Sequence, residues 1–213
     1  MLLRSFFVSI CTASVLCASA QAPFEGIIQF KGETNAIGEK STVEWIAKNG
    51  DSRLNINSFT KDVNSSYSLY FVQGQSGVKM TADGNGKKLV YDVPYSAFAN
   101  TEFASAFSAE ATGQKANIAG YECEEYTVKT SSSVVSCWVS KTTGIHPASF
   151  PSVVLGRGVF AVLQRNGVQG IPLKITSRDF AGNVISEQEV VSIQASAVPD
   201  QTFAIPAGYE KAN

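Results

Sequence analysis

Short runs of alternating apolar and polar residues, each closed by a turn signal, follow one another along most of the chain. Period-2 runs bounded by glycine, asparagine and serine read as half-buried β-strands. They predict strands over 26–31, 42–48, 53–57, 66–72, 78–82, 88–93, 120–129, 134–141, 171–180 and 184–195. Nearly all are joined by short turns, so about ten strands should form an antiparallel sheet. Asn49-Gly50 is the sharpest of these turn signals, because both positions of a type I′ turn need positive φ. A two-residue loop there sets Lys48 opposite Asp51, Trp45 opposite Leu54 and Val43 opposite Ile56. An apolar face and an opposite-charge pair emerge from one register, which supports it. At the last hairpin, a tight loop at Ala181-Gly182-Asn183 would place Arg178 near Glu187 and Ile175 near Val190. Strands do not alternate with helices and no glycine-rich phosphate loop is present, which argues against a dinucleotide-binding fold.

Two stretches break the alternation. Residues 97–110 are alanine-rich, with Phe98 near the start and Phe103 and Phe107 four apart, which predicts a helix with one apolar edge. Residues 151–166 carry Val153, Val154, Leu155, Val159, Phe160 and Leu163, broken by Gly156 and Gly158, and predict one or two short apolar helices. Such insertions either cover an open face of the sheet or simply cap the core.

The first 22 residues follow a different rule. Arg4 supplies a positive start, residues 6–16 are apolar with only small interruptions, and Ala18-Ser19-Ala20 and Ala20-Gln21-Ala22 are small-x-small cleavage sites. This is the pattern of a signal peptide, 1–20, with a second cleavage site after 22. The apolar run is shorter than the roughly 20 residues a membrane span needs. Leu16 before Cys17 and Ile10 before Cys11 do not make a lipobox. The remainder, 21–213, reads as one domain, exported and soluble or peripherally attached, with no transmembrane segment after cleavage.

Composition changes the picture only by exclusion. Of 213 residues, 44% are hydrophobic and 10% aromatic, too apolar for a disordered chain. Seventeen bases against eighteen acids give a net charge of −1, and −2 once Arg4 leaves with the leader. A nucleic-acid partner would require a cationic excess to displace counterions, so none is expected.

Cys123 and Cys137 survive cleavage. In an oxidising compartment an isolated pair reads as a structural disulfide, worth roughly 3 kcal/mol for a loop of this length. Whether it closes depends on hairpin register, because both lie on strands expected to pair.

The strand Gly120-Tyr121-Glu122-Cys123-Glu124-Glu125-Tyr126 carries a Gly-Tyr-x-Cys-x-x-Tyr pattern. It resembles an uncharacterised family of exported bacterial domains known only as a domain of unknown function. Phe24-Glu25-Gly26, Cys137-Trp138-Val139, Gly170-Ile171-Pro172-Leu173-Lys174 and Phe203-Ala204-Ile205-Pro206-Ala207-Gly208-Tyr209 add to the likeness in the expected order. The family resembles the LolA and LolB lipoprotein carriers. The resemblance implies a curved antiparallel sheet, a LolA-like half-open barrel, with helical insertions on its concave side and an apolar cavity for acyl chains. Phe98, Phe103, Phe107, Val159, Phe160 and Leu163 are the residues expected to line or cover such a cavity. This chain departs from the family in its second cysteine beside the tryptophan and in a methionine-poor segment before the Gly-Tyr-x-Cys strand.

Catalytic chemistry finds little footing. His146 is the single histidine, it precedes Pro147, and no Gly-x-Ser-x-Gly elbow accompanies it. One histidine and two cysteines do not make a four-ligand zinc set. Asp83-Gly84-Asn85-Gly86 begins like a calcium loop, but Lys87 and Pro94 stand where oxygen ligands belong. No catalytic residue, metal or cofactor is expected. The first reading is an exported, periplasmic or extracellular bacterial binding protein for a lipid or lipidated ligand. The alternative is an envelope protein-interaction scaffold without a cavity, and the third is a hydrolase centred on His146.

Overall fold

Asn49 and Gly50 take φ of 51° and 90°, the positive pair that a two-residue hairpin turn demands. The turn joins β2 (Glu39–Lys48) to β3 (Asp51–Phe59), and Lys48 faces Asp51, Trp45 faces Leu54 and Val43 faces Ile56, as the sequence predicts. These coordinates form a computed structural model that describes residues 23–212 except 36, 85–86, 99–106, 148–149 and 151–156. The expected leader, 1–20, lies outside the described residues.

The other strands are β1 (Gly26–Thr34), β4 (Asn64–Phe71), β5 (Gly77–Gly84), β6 (Lys87–Pro94), β7 (Ala109–Ile118), β8 (Tyr121–Lys129), β9 (Val134–Ser140), β10 (Ile171–Arg178), β11 (Val184–Ala195) and β12 (Glu210–Lys211). All twelve belong to one open sheet in the order β12-β6-β5-β4-β3-β2-β1-β11-β10-β9-β8-β7. Neighbours run antiparallel except β12, which is parallel to β6, so the sheet is mixed rather than purely antiparallel. One α-helix, α1 (Arg157–Arg165), is described.

Four expectations need correction. Among the described residues the sheet has twelve strands, not about ten, because β7 and β12 add to those the sequence predicts. The described ends of the helix expected over 97–110 are not helical, since Tyr95–Phe98 is a single 3₁₀ turn and Ala109 and Glu110 already open β7, while 99–106 lie outside the described residues. Alanine and glutamate favour helix locally, but the outer edge of β8 supplies hydrogen-bonding partners, and that tertiary context prevails. At the last hairpin Thr176, not Arg178, faces Glu187, and Ile175 faces Gln188. There Asp179 closes a longer loop, its carboxylate accepting from the Asn183 backbone N–H at 2.8 Å, and a bulge sits at Ser177/Arg178. Finally, Cys123 and Cys137 are free thiols. Cys137 faces Tyr126, three positions from Cys123 along β8. Three residues of strand put their Cα atoms about 10 Å apart, beyond the roughly 7 Å a disulfide spans.

The sheet is curled. Gln188 on β11 and Val93 on β6 line the same cavity, yet six strand spacings, about 29 Å if flat, separate their strands. The core lies on the concave face, where Ile28, Phe30, Trp45, Leu54, Leu69, Val128, Cys137, Leu173 and Val190 are buried beneath Phe150 and α1. A smaller cluster, Ile46 with Val198 and Phe203, lies on the other face under the C-terminal segment. Lys48 fastens that segment by an ion pair to Asp200 at 2.8 Å and a hydrogen bond to the Val198 carbonyl at 2.7 Å. No described helix is long and apolar enough to cross a membrane.

Candidate binding cavity

Alternation along paired strands stacks the concave side chains into rows. Trp45, Leu54, Leu69 and Met80 register as one row across β2 to β5, and Val43, Ile56 and Tyr67 as the next. The row beyond is small and polar: Gly32, Ser41, Ser58 and Ser65. Polarity therefore changes along the strand direction, from aromatic and aliphatic to hydroxyl within three rows.

α1 fills one half of this surface. Phe150 meets Trp45 at 5.6 Å and 74°, Phe30 at 6.0 Å, and Phe160 of α1 at 6.0 Å. Among the described residues the other half forms a cavity of about 570 Å³, within the size range of small-molecule pockets. Val43, Ile56, Tyr67, Leu69, Met80 and Val93 form its apolar wall, and Thr34, Glu39, Ser41, Ser58 and Gln188 its polar end. Ser58 Oγ donates to Glu39 Oε1. Burial pushes the Tyr67 phenol up, and the nearby negative charge of Glu39 pushes it further. Glu39 forms no ion pair among the described residues. The arrangement can exclude water from hydrocarbon along two rows and accept hydrogen bonds at the third.

Of the residues singled out in the sequence, Val159, Phe160 and Leu163 come together on α1, all buried in the main core. Phe107 is half-buried against that core. Phe98 ends the 3₁₀ turn, and Phe103 lies outside the described residues. The wall of the cavity is built from strand residues, of which the sequence puts only Val43 and Ile56 on an apolar face. The signal was there in the register, since Val43 opposite Ile56 fixes one of the rows.

His146 lines a separate surface pocket of about 450 Å³ with Lys141, Ile145, Gln164 and Gln169. No carboxylate, serine or cysteine lines it among the described residues. The thiols offer no nucleophile: burial pushes Cys123 up to about 11 and Cys137 up to about 12, which leaves little thiolate at neutral pH. Among the described residues no cluster of three or more acidic, histidine or cysteine side chains could hold a metal ion.

A family model described as a domain of unknown function, DUF4412, matches residues 24–209. No curated protein matches the sequence. Among solved structures, a chain of the Pseudomonas aeruginosa MucA/MucB complex is 11% identical, covering 85% of this chain and 56% of its own, with a TM-score of 0.51. A structure of MucB in complex with MucA(peri) gives 12% identity, 87% and 55% coverage and 0.49. A putative outer membrane lipoprotein-sorting protein domain from Vibrio parahaemolyticus gives 7%, 84% and 88%, and 0.32. This chain thus spans little more than half the length of the first two, and the first likeness bears on the fold alone.

Proposed function

The chain belongs to the DUF4412 family, and from that premise and its cavity we propose that it is an exported, non-enzymatic binding protein. In this reading a LolA-like half-barrel holds the acyl chain of a lipid or lipidated ligand against its concave face. The observation that carries it is the open apolar wall of Val43, Ile56, Tyr67, Leu69, Met80 and Val93 around about 570 Å³. Phe107, Val159, Phe160 and Leu163 belong in this reading to the core that the cavity adjoins. A buried CH₂ contributes about 0.8 kcal/mol, so roughly ten methylenes would gain about 8 kcal/mol before the costs of association. No polar chemistry is needed for that affinity.

Native mass spectrometry of protein purified from its exporting host without detergent tests the proposal. The expected result is a mass excess released by organic solvent. The same protein, stripped, should take up the neutral probe N-phenyl-1-naphthylamine, and Met80→Trp should weaken uptake by about tenfold by filling the cavity. A clean mass together with no probe uptake would sink the reading. A second reading, an envelope protein-interaction scaffold, draws on β7, which ends the sheet with no described strand beyond it. A clean mass together with a stoichiometric partner in envelope extracts would favour it.

A further inference from the structure

We infer that the cavity takes a single-chain amphiphile with a hydrogen-donating head, hydroxyl or ammonium, and that Glu39 selects it against carboxylate-headed chains. This rests on the reading that the cavity holds an acyl chain. The rows give the ligand a direction. Hydrocarbon packs against Leu69 and Met80 and along the Val43-to-Tyr67 row, and the head reaches the hydroxyl row of Ser41 and Ser58.

At that end the charge is one-sided. Among the described residues Glu39 and Tyr67 are the ionisable side chains lining the cavity, and neither lysine nor arginine lines it. Glu39 has no ion-pair partner among the described residues, and its hydrogen bond comes from the neutral Ser58 hydroxyl. Tyr67 lines the same cavity, and its phenol is raised first by burial and then by the charge of Glu39. A carboxylate head would place a second anion beside it in a half-buried setting, where like charges repel strongly. A hydroxyl or ammonium would donate to acceptors already in place: the Glu39 carboxylate, the Ser41 hydroxyl oxygen and the Gln188 amide oxygen. Thr34 faces Glu39 in the β1–β2 ladder and adds another neutral acceptor.

The test is displacement of N-phenyl-1-naphthylamine from the full mature chain at neutral pH. The competitors share one lauroyl-length chain: monolauroylglycerol, dodecylamine and dodecanoate. Glycerol-headed and amine-headed chains should each displace the probe about tenfold more tightly than dodecanoate. In Glu39→Gln, dodecanoate should tighten by about fivefold and dodecylamine weaken, while monolauroylglycerol changes by less than about twofold. Dodecanoate binding as tightly as the others to the wild-type chain would overturn the inference, with no variant needed. An unchanged order in a Glu39→Gln chain of wild-type circular dichroism would overturn it too. Probe uptake without head-group preference defeats this inference alone. Absence of probe uptake defeats the acyl-chain reading beneath it.

Discussion

Trp45 and Phe150 meet edge to face, ring centroids 5.6 Å apart at 74°. The contact ties the centre of β2 to Phe150. Phe150 also touches Phe30 and Phe160, so one ring joins sheet and helix. Phe150→Ala removes a buried core aromatic and should cost about 3–5 kcal/mol in urea unfolding. The indole N–H of Trp45 is buried without a hydrogen-bond partner among the described residues, so its emission should be blue-shifted in the native chain. In Phe150→Ala the emission should move red as water reaches the indole. An unshifted spectrum with a small stability loss would show that the helix is held elsewhere.

Cys123 and Cys137 are buried and unpaired. Both thiols should resist a disulfide-exchange reagent in the native chain and react when it is unfolded in urea. Burial raises their pKa to about 11 and about 12, above the roughly 8.5 of an unfolded cysteine. The folded state therefore holds protons that the unfolded state releases. The stability this confers is complete below about pH 8.5 and is lost as pH rises toward 11 and beyond. Replacing both cysteines by alanine should flatten the fall of the urea midpoint across that alkaline range. A disulfide forming on oxidation without loss of native structure would contradict the register.

Acid has its own point of attack. Lys174 Nζ donates at 3.0 Å to Glu187 Oε1 and at 3.0 Å to Glu189 Oε2, and Thr176 Oγ1 donates to Glu187 Oε2. Burial works against ionising Glu187, but the lysine and threonine bonds outweigh it and hold its carboxyl below the usual range. A carboxyl lowered in the fold contributes stability above its unfolded pKa of about 4.3, lost as pH falls through the folded value. Lys174→Met should move the acid-unfolding midpoint upward. The shift should be roughly half a pH unit or less, because the group is part-exposed. An unmoved midpoint would mean that the carboxylates find other donors.

These effects differ in how far the sequence announces them. The β2–β3 register was legible because Asn49-Gly50 admits one loop length, and every pair from Lys48/Asp51 to Val43/Ile56 follows from it. The β10–β11 register was not, because Asp179 caps a longer loop that leaves Thr176, not Arg178, across from Glu187. β7 was hidden for a different reason: Ala109-Glu110-Ala111 has helical propensity, and only the neighbouring strand makes it extended. The cavity lay further from view. Ile56, Tyr67, Met80 and Val93 alternate as any half-buried strand residues do, and a closed core has the same signature. That Phe150 covers Phe30 and Trp45 while Ile56 and Tyr67 line the cavity is decided by where a distant segment lands.

The β7–β8 turn repeats the geometry of the β2–β3 turn with a poorer residue. Ile118 faces Tyr121 across a two-residue loop, and Ala119 and Gly120 take φ of 50° and 87°. Gly120 bears its positive φ without cost, having no Cβ. Ala119 does not: an L-residue with a Cβ in the left-handed region costs about 1–2 kcal/mol, and asparagine tolerates it better. Asn117 Oδ1 already accepts the Gly120 N–H at 3.1 Å, so the turn needs no help from the side chain at 119. Ala119→Asn should therefore stabilise the chain by about 1 kcal/mol in urea unfolding. Ala119→Gly should gain less, because it also loosens the unfolded chain. The reverse change at the matching position, Asn49→Ala, should cost about as much as Ala119→Asn gains. Equal and opposite shifts would trace both to backbone conformation, whereas a loss at Ala119→Asn would show that the half-buried methyl matters more to packing than its φ does.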